Sequence, residues 1–183
     1  MVNWKATMKQ SPVARLQMGA LSIRFEKTTL ADIRRAAAVG DIAHHGDAGE
    51  SVYWLCYTNV GVKQIERIWI MAHGEMGGSE HDVTDVSAEL LPSGSVTKDC
   101  PALPKKLKPV VLDNSLWIGS SQERATSKLG APSFRKDSWR SYDFQAKMPG
   151  NCEGGNFDRE ASLLLHFRNG VINRLYAGQT TSC

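Results

Sequence analysis

Apolar positions recur first at helical and then at strand spacing, and the chain runs through that order twice. Leu30, Ile33 and Ala37 lie on one helical stripe, and they predict a helix over 31–39. Thr29 suits its N-cap, Asp32 its acidic first turn, and Gly40 the C′ position where a helix ends. Further on, Ser120-x-x-Glu123 reads as a capping box opening a second helix over 122–129. Gly130-Ala131-Pro132 stops it.

Strand patterns follow each helix. Stretches 51–58, 64–72 and 83–90 come after the first, and 139–146, 161–168 and 171–177 after the second. Each is rich in aromatic and β-branched residues and bounded by turn formers. Asn169-Gly170 between the last two is a strong hairpin signal. His73-Gly74 opens a longer, Gly-rich connection in the first set. The class predicted is α+β: two tandem α-β-β-β repeats whose antiparallel sheets form one curved surface, with the helices on the other side. Residues 23–91 make the first repeat and 114–183 the second. Between them, 92–113 reads as a linker, since four of the seven prolines and Lys105, Lys106 and Lys108 lie within it. Residues 1–22 read as an N-terminal arm or a short helix.

Four cysteines permit three pairings, and none has the spacing of a zinc site. The repeat favours one choice. Cys56 and Cys152 lie in or just after the first strand of their units, and Cys100 and Cys183 just beyond the third. Pairing within units gives Cys56–Cys100 and Cys152–Cys183; the alternative for Cys56 is a buried free thiol. Disulfides imply an oxidising compartment, periplasmic or secreted. Residues 1–19 lack the continuous apolar core of a signal peptide, so Met1 reads as a start that replaces a removed leader. Composition adds exclusions. With 22 Lys+Arg against 19 Asp+Glu, the net charge of +3 is too small for a dedicated nucleic-acid footprint. No apolar run approaches the length of a membrane span.

Ile118-Gly119-Ser120-Ser121, a helix, Leu129-Gly130-Ala131-Pro132, strands, and Leu165-His166-Phe167-Arg168-Asn169-Gly170-Val171-Ile172 together resemble the SmpA/OmlA (BamE-like) unit. Two such units in tandem resemble the β-lactamase inhibitory protein fold, a pair of helix-plus-sheet repeats making one curved surface. The likeness spans 114–178 and, in outline, 25–90. It implies a fold; fold analogy alone does not assign a function. Lipoprotein members carry an acylated N-terminal Cys, whereas the first Cys here is Cys56.

Candidate chemistry is sparse. His44-His45-x-Asp47 and His73-x-Glu75 with Glu80-His81-Asp82 cluster imidazoles and carboxylates, but at no recognised metal spacing. Ser95-x-x-Lys98 lacks the companion motifs of penicillin-recognising enzymes. Gly74 to Gly78 has neither the strand-to-helix setting nor the Lys of a phosphate loop. Cys56 near His44 or His45 would imitate a thiol–imidazole pair. The expectation is no catalytic residue, no metal and no cofactor.

Aromatic placement says more. Strand alternation puts Tyr53, Leu55 and Tyr57 on one face and Val52, Trp54 and Cys56 on the other. Ile68, Ile70 and Ala72 likewise oppose Arg67, Trp69, Met71 and His73. One face covers the helix; large apolar groups remain on the second. Either another part of the chain covers them, or they form a recognition surface. The surface reading centres on Trp54, Trp69 and Met71, with Arg67, His73, Arg140, Asp143, His166 and Arg174 at the rim. The function expected is a non-enzymatic module binding another protein, as inhibitor or as immunity protein of a secreted bacterial toxin or enzyme. An envelope-assembly module of SmpA type comes second, and a small hydrolase with a His/Asp loop site third.

Overall fold

Two capped helices of eight residues stand at corresponding points of the chain in the computed structural model, which describes residues 6–61, 64–74, 80–92, 95, 98–150, 152 and 155–183. Helix α1 is Leu30–Ala37 and α2 is Gln122–Leu129. The strands are β1 (Arg15–Met18), β2 (Leu21–Arg24), β3 (Ala43–His45), β4 (Val52–Val60), β5 (Ile65–His73), β6 (Asp85–Leu91), β7 (Val110–Leu112), β8 (Phe134–Lys136), β9 (Trp139–Pro149), β10 (Asn156–Arg168) and β11 (Val171–Ser182). The fold is α+β with antiparallel strand pairing.

The helix boundaries follow from local hydrogen bonding. Thr29 is the N-cap as expected, and it goes further: Thr29 Oγ1 accepts from the Asp32 N–H while the Asp32 carboxylate accepts from the Thr29 N–H, a capping box that the sequence reading places only at the second helix. That exchange holds the Asp32 carboxyl below the usual carboxylate range. At the other end the C-cap is Ala38, left-handed at φ 59°, two residues before Gly40, whose φ is also positive at 93°. In α2 the N-cap is Ser121, one residue later than the capping-box reading placed it. Ser121 Oγ accepts from the Arg124 N–H at 3.2 Å, while the Ser120 hydroxyl accepts from the Trp117 N–H. Gly130 ends α2 with φ 75°.

Eight strands form the main sheet in the order β3-β4-β5-β6-β11-β10-β9-β8. Each helix is followed by four strands, the last of which, β6 or β11, lies at the centre. The expected three strands per helix are therefore joined by a fourth, β3 or β8, only three residues long and too short to carry a period. The Asn169-Gly170 connection is as read: both residues have positive φ (52° and 76°), the geometry of a two-residue hairpin turn.

The chain's other two short regions also fold as strands. β1 and β2 form a hairpin, and β7 pairs with β1 to make a three-stranded sheet. The N-terminal helix alternative thus gives way to a hairpin, because Leu16, Met18 and Ile23 alternate into the core. Leu103, Leu107, Val110 and Leu112, from the stretch read as a linker, are buried as well.

One face of the main sheet, with α1, Ala125 of α2 and the small sheet, encloses a single core. Leu55, Tyr57, Ile68, Ile70, Val86, Ala88, Tyr142, Leu163, Leu165, Leu175 and Ala177 supply the sheet's share. Tyr57 is fully buried and donates to the Val39 carbonyl at 3.2 Å. Burial pushes its phenol up to about 12.

Both disulfides join the cysteines that the repeat pairs, Cys56–Cys100 and Cys152–Cys183. The first ties residues 100–103 to the edge of β4. There the Thr58 N–H donates to Pro101 O, the Leu103 N–H donates to Thr58 O, and Thr58 Oγ1 donates to Cys100 O. The bonds fit an oxidising compartment outside the cytoplasm. No helix among the described residues is long and apolar enough to cross a membrane.

Candidate interaction surface

Among the described residues no α-helix packs on the second face of the main sheet, and the register sorts its side chains into rows running across the strands. One row is Ala43, Trp54, Met71, Asp85, Gly178, Ser162 and Asp143. Beside it runs Cys56, Trp69, Ser87, Tyr176, Leu164, Ser141 and Phe134. The next is Thr58, Arg67, Glu89, Arg174, His166, Trp139 and Lys136. On the opposite flank lie Val52 and His73 on β4 and β5, and Thr180, Glu160 and Gln145 on β11, β10 and β9.

Eight of the nine candidate side chains belong to these rows. Trp54, Trp69 and Met71 are neighbours, each half-buried, and none joins the core cluster. Arg140 is the exception. It pairs with Leu165 and Arg135, shares the core-side face with Tyr142, and donates to the Asp137 and Trp139 carbonyls, each at 2.7 Å. The reason is parity: Arg140 and Asp143 are three residues apart on one strand, so they point to opposite faces.

Charges along the lower row compensate one another. Arg67 Nη2 lies 2.6 Å from Glu89 Oε1, Arg174 Nε 3.5 Å from Glu89 Oε2, and the Arg67 guanidinium sits 4.4 Å from the Trp69 ring centre. Arg67 Nε is buried with no hydrogen-bond partner among the described residues. His166 Nδ1 is 2.6 Å from Asn173 Oδ1, and its ring tilts against Trp139 at 4.6 Å.

Asp85 stands in the middle of the face and is 4 % exposed. It accepts hydrogen bonds from the Thr84 hydroxyl at 2.5 Å and from the Tyr176 hydroxyl, and His73 Nε2 lies 3.5 Å away. Burial, with the Asp85 carboxylate beside it, raises the Tyr176 phenol far above its ordinary range. Gly178 leaves room for this arrangement: a Cβ there would run into the Asp85 carboxylate. A hollow of about 130 Å³ opens beside them, lined by Asp85, Glu160, Ser162, Tyr176, Gly178 and Thr180 among others. Sequence reading missed Asp85, Glu89 and Tyr176. For Tyr176 the signal was present, since it shares parity with Arg174 on one strand.

The loop histidines are engaged in packing. His44 and His81 stack on the two sides of Tyr53, with centroids 4.2 and 3.8 Å away. Cys56 is disulfide-bonded, which removes the thiol–imidazole alternative. Among the described residues no group of three or more His, Cys, Asp or Glu is placed to hold a metal ion. Glu75 and Gly77-Gly78 of the Gly-rich loop lie outside the described residues, as do Val96 and Thr97 between Ser95 and Lys98. Compared with protein-family models, curated proteins and solved structures, the chain matches none.

Proposed function

We propose that the protein is a non-enzymatic binding module, periplasmic or secreted, that occludes another protein through the second face of the main sheet, as an inhibitor or as the immunity protein of a secreted bacterial toxin. The carrying observation is the contiguous group Trp54, Trp69 and Met71. These are large apolar side chains, only partly buried and outside the core cluster, on a sheet face where polar residues are expected unless something covers it. Tryptophan with a nearby arginine is the composition of binding hot spots, and Arg67 over Trp69 supplies that pair. Two helix-plus-four-strand sets, meeting at β6 and β11, support the reading of tandem repeats that merge into one curved surface. Such a surface suits a protruding partner.

The test uses wild-type protein and the Trp54→Ala and Trp69→Ala variants, immobilised and exposed to envelope and secreted fractions. A recovered partner is then purified and titrated. Each truncation should cost about 2–4 kcal/mol of affinity, roughly 30- to 1,000-fold, at an unchanged melting temperature. Unchanged affinity with a lowered melting temperature would assign both tryptophans to folding and move the interface elsewhere. Loss of the partner's own activity on binding supports inhibition; a partner that keeps its activity supports the SmpA-type assembly role instead.

A further inference from the structure

The face is apolar toward its β4–β5 side and acidic from its middle to β9. In the row that starts with Trp54 and Met71, the next strands carry Asp85, Gly178, Ser162 and Asp143, and Glu160 lies two residues from Ser162 on β10. Asp143 accepts hydrogen bonds from the Ser141 and Ser162 hydroxyls, at 2.7 and 2.9 Å, and Glu160 from Gln145 at 3.2 Å. Among the described residues none of the three carboxylates has a Lys or Arg within ion-pair distance, although Glu89 and Asp158 on the same face do. The sheet thus neutralises its acids along one row and at one end; from its middle toward β9 it leaves Glu160 and Asp143 without a basic partner among the described residues, with Asp85 facing only His73, at 3.5 Å. Asp85 and Glu160 line a hollow beside the apolar group, Asp143 lies one strand further out opposite Ser162, and Tyr176, 36 % exposed, stands between hollow and apolar group.

Resting on the recognition reading above, we infer that the partner is a protein whose contact segment carries a Lys or Arg side chain about 10–15 Å from an apolar anchor. The spacing comes from the sheet: neighbouring strands lie ~4.8 Å apart, and two to three strand steps separate Met71 on β5 from the hollow on β11 and β10. The apolar anchor covers Trp54, Trp69 and Met71. The cation enters the hollow and meets Glu160, within the field of Asp143 one strand further out, with the Tyr176 ring alongside its aliphatic stem. A partner with acidic groups at that position would face like charge and be rejected.

Two displayed libraries of disulfide-cyclised peptides test this directly. They share the same apolar residues, but one offers Lys and Arg at its charged positions and the other Asp and Glu. Full-length protein should select binders from the basic library and few from the acidic one. Those binders should weaken at least tenfold in the Asp143→Asn/Glu160→Gln variant, with a shallower salt dependence. The Asp143→Lys/Glu160→Lys variant should reverse the choice of library. Asp85 is left intact because its buried hydrogen bonds hold Tyr176, and thermal melts check that each variant is folded. If Trp54→Ala abolishes binding while Asp143→Asn/Glu160→Gln changes neither affinity nor salt dependence, the recognition face stands and the cation inference falls. If neither substitution matters, both fall. Equal selection from the two libraries also overturns the inference.

Discussion

Removing the Cys56–Cys100 bond by Cys56→Ala/Cys100→Ala tests how the edge of β4 is held. The bond spans 44 residues, and the loop-closure entropy it removes from the unfolded chain is worth about 4 kcal/mol. Cys152–Cys183 spans 31 residues, and the same arithmetic gives about 3.7 kcal/mol. On that account alone the two double variants are nearly equal, because the dependence on loop length is logarithmic. Packing separates them. Cys56 and Cys100 are both buried, and their bond anchors the segment that hydrogen-bonds Thr58 through Pro101, Leu103 and Cys100. Cys183 lies exposed at the chain end. For a chain of this size each kcal/mol moves the melting temperature by about 2–4 °C, so Cys56→Ala/Cys100→Ala should melt about 8–16 °C lower. Cys152→Ala/Cys183→Ala should fall by less. Circular-dichroism melts of the three proteins read this, with a reductant titration of the wild type as a second route to the same states. A fall of under about 3 °C in the first variant would refute the loop-entropy reasoning. Equal falls would show that the bond adds nothing to the pairing at Thr58.

Other expectations concern single groups. Thr29→Ala removes the α1 cap and should cost about 1 kcal/mol at neutral pH in urea unfolding. Because the Thr29 hydroxyl and N–H lower the Asp32 pKa, that carboxylate's contribution is present above its unfolded value of 3.8 and lost as pH falls through its folded value, so the gap to wild type should narrow in acid. A gap that widens in acid would contradict the assignment. Asp113 has the opposite sign: burial raises its pKa against the Ala14 N–H bond, so its contribution is full below 3.8 and lost as pH rises through the folded value. Asp113→Asn keeps an acceptor for Ala14 and should melt higher than wild type at pH 7, with the difference closing in acid; a lower melting point at pH 7 would count against it. Gly178→Ala drives a methyl into the Asp85 carboxylate and should cost about 1–3 kcal/mol by urea midpoint. A loss within 0.5 kcal/mol, roughly the scatter of surface substitutions, would show that the site gives way freely.

Local chemistry was legible in the sequence, and non-local pairing was not. Thr29, Gly130 and Asn169-Gly170 act within a few residues of themselves, so both helices and the last hairpin could be read directly. The strands β1, β2 and β7 escaped for a different reason. Leu16, Met18 and Ile23 do alternate inward, but over four-residue strands whose stability comes from β7, which lies about a hundred residues later in a proline- and lysine-rich stretch. The surface divides in the same way. Trp54, Trp69 and Met71 share a face because of period two along β4 and β5, which a sequence displays. That Arg140 opposes Asp143 follows from the same rule. The acidic centre needed the junction of β6 with β11, where Asp85 meets Gly178 and Tyr176 reaches Asp85. Nothing within either strand announces that neighbour.

The eight-stranded sheet ends on both sides in a strand of three residues, and this limits what it can add to itself. An outermost strand is a template for further pairing, and long flat ones invite polymerisation. Here β3 ends the sheet with exposed His44 and His45, and β8 with exposed Arg135 and Lys136. Past β3, the edge of β4 is taken by residues 101–103 through Thr58. Past β8, the Asp143 carbonyl accepts the Thr7 and Met8 N–H groups, and beyond it β9 carries Lys147 and Pro149, a charge and an imide that an incoming strand would have to accommodate. A sheet that carries partly exposed tryptophans on one face is thereby kept from growing by one copy after another along its edges.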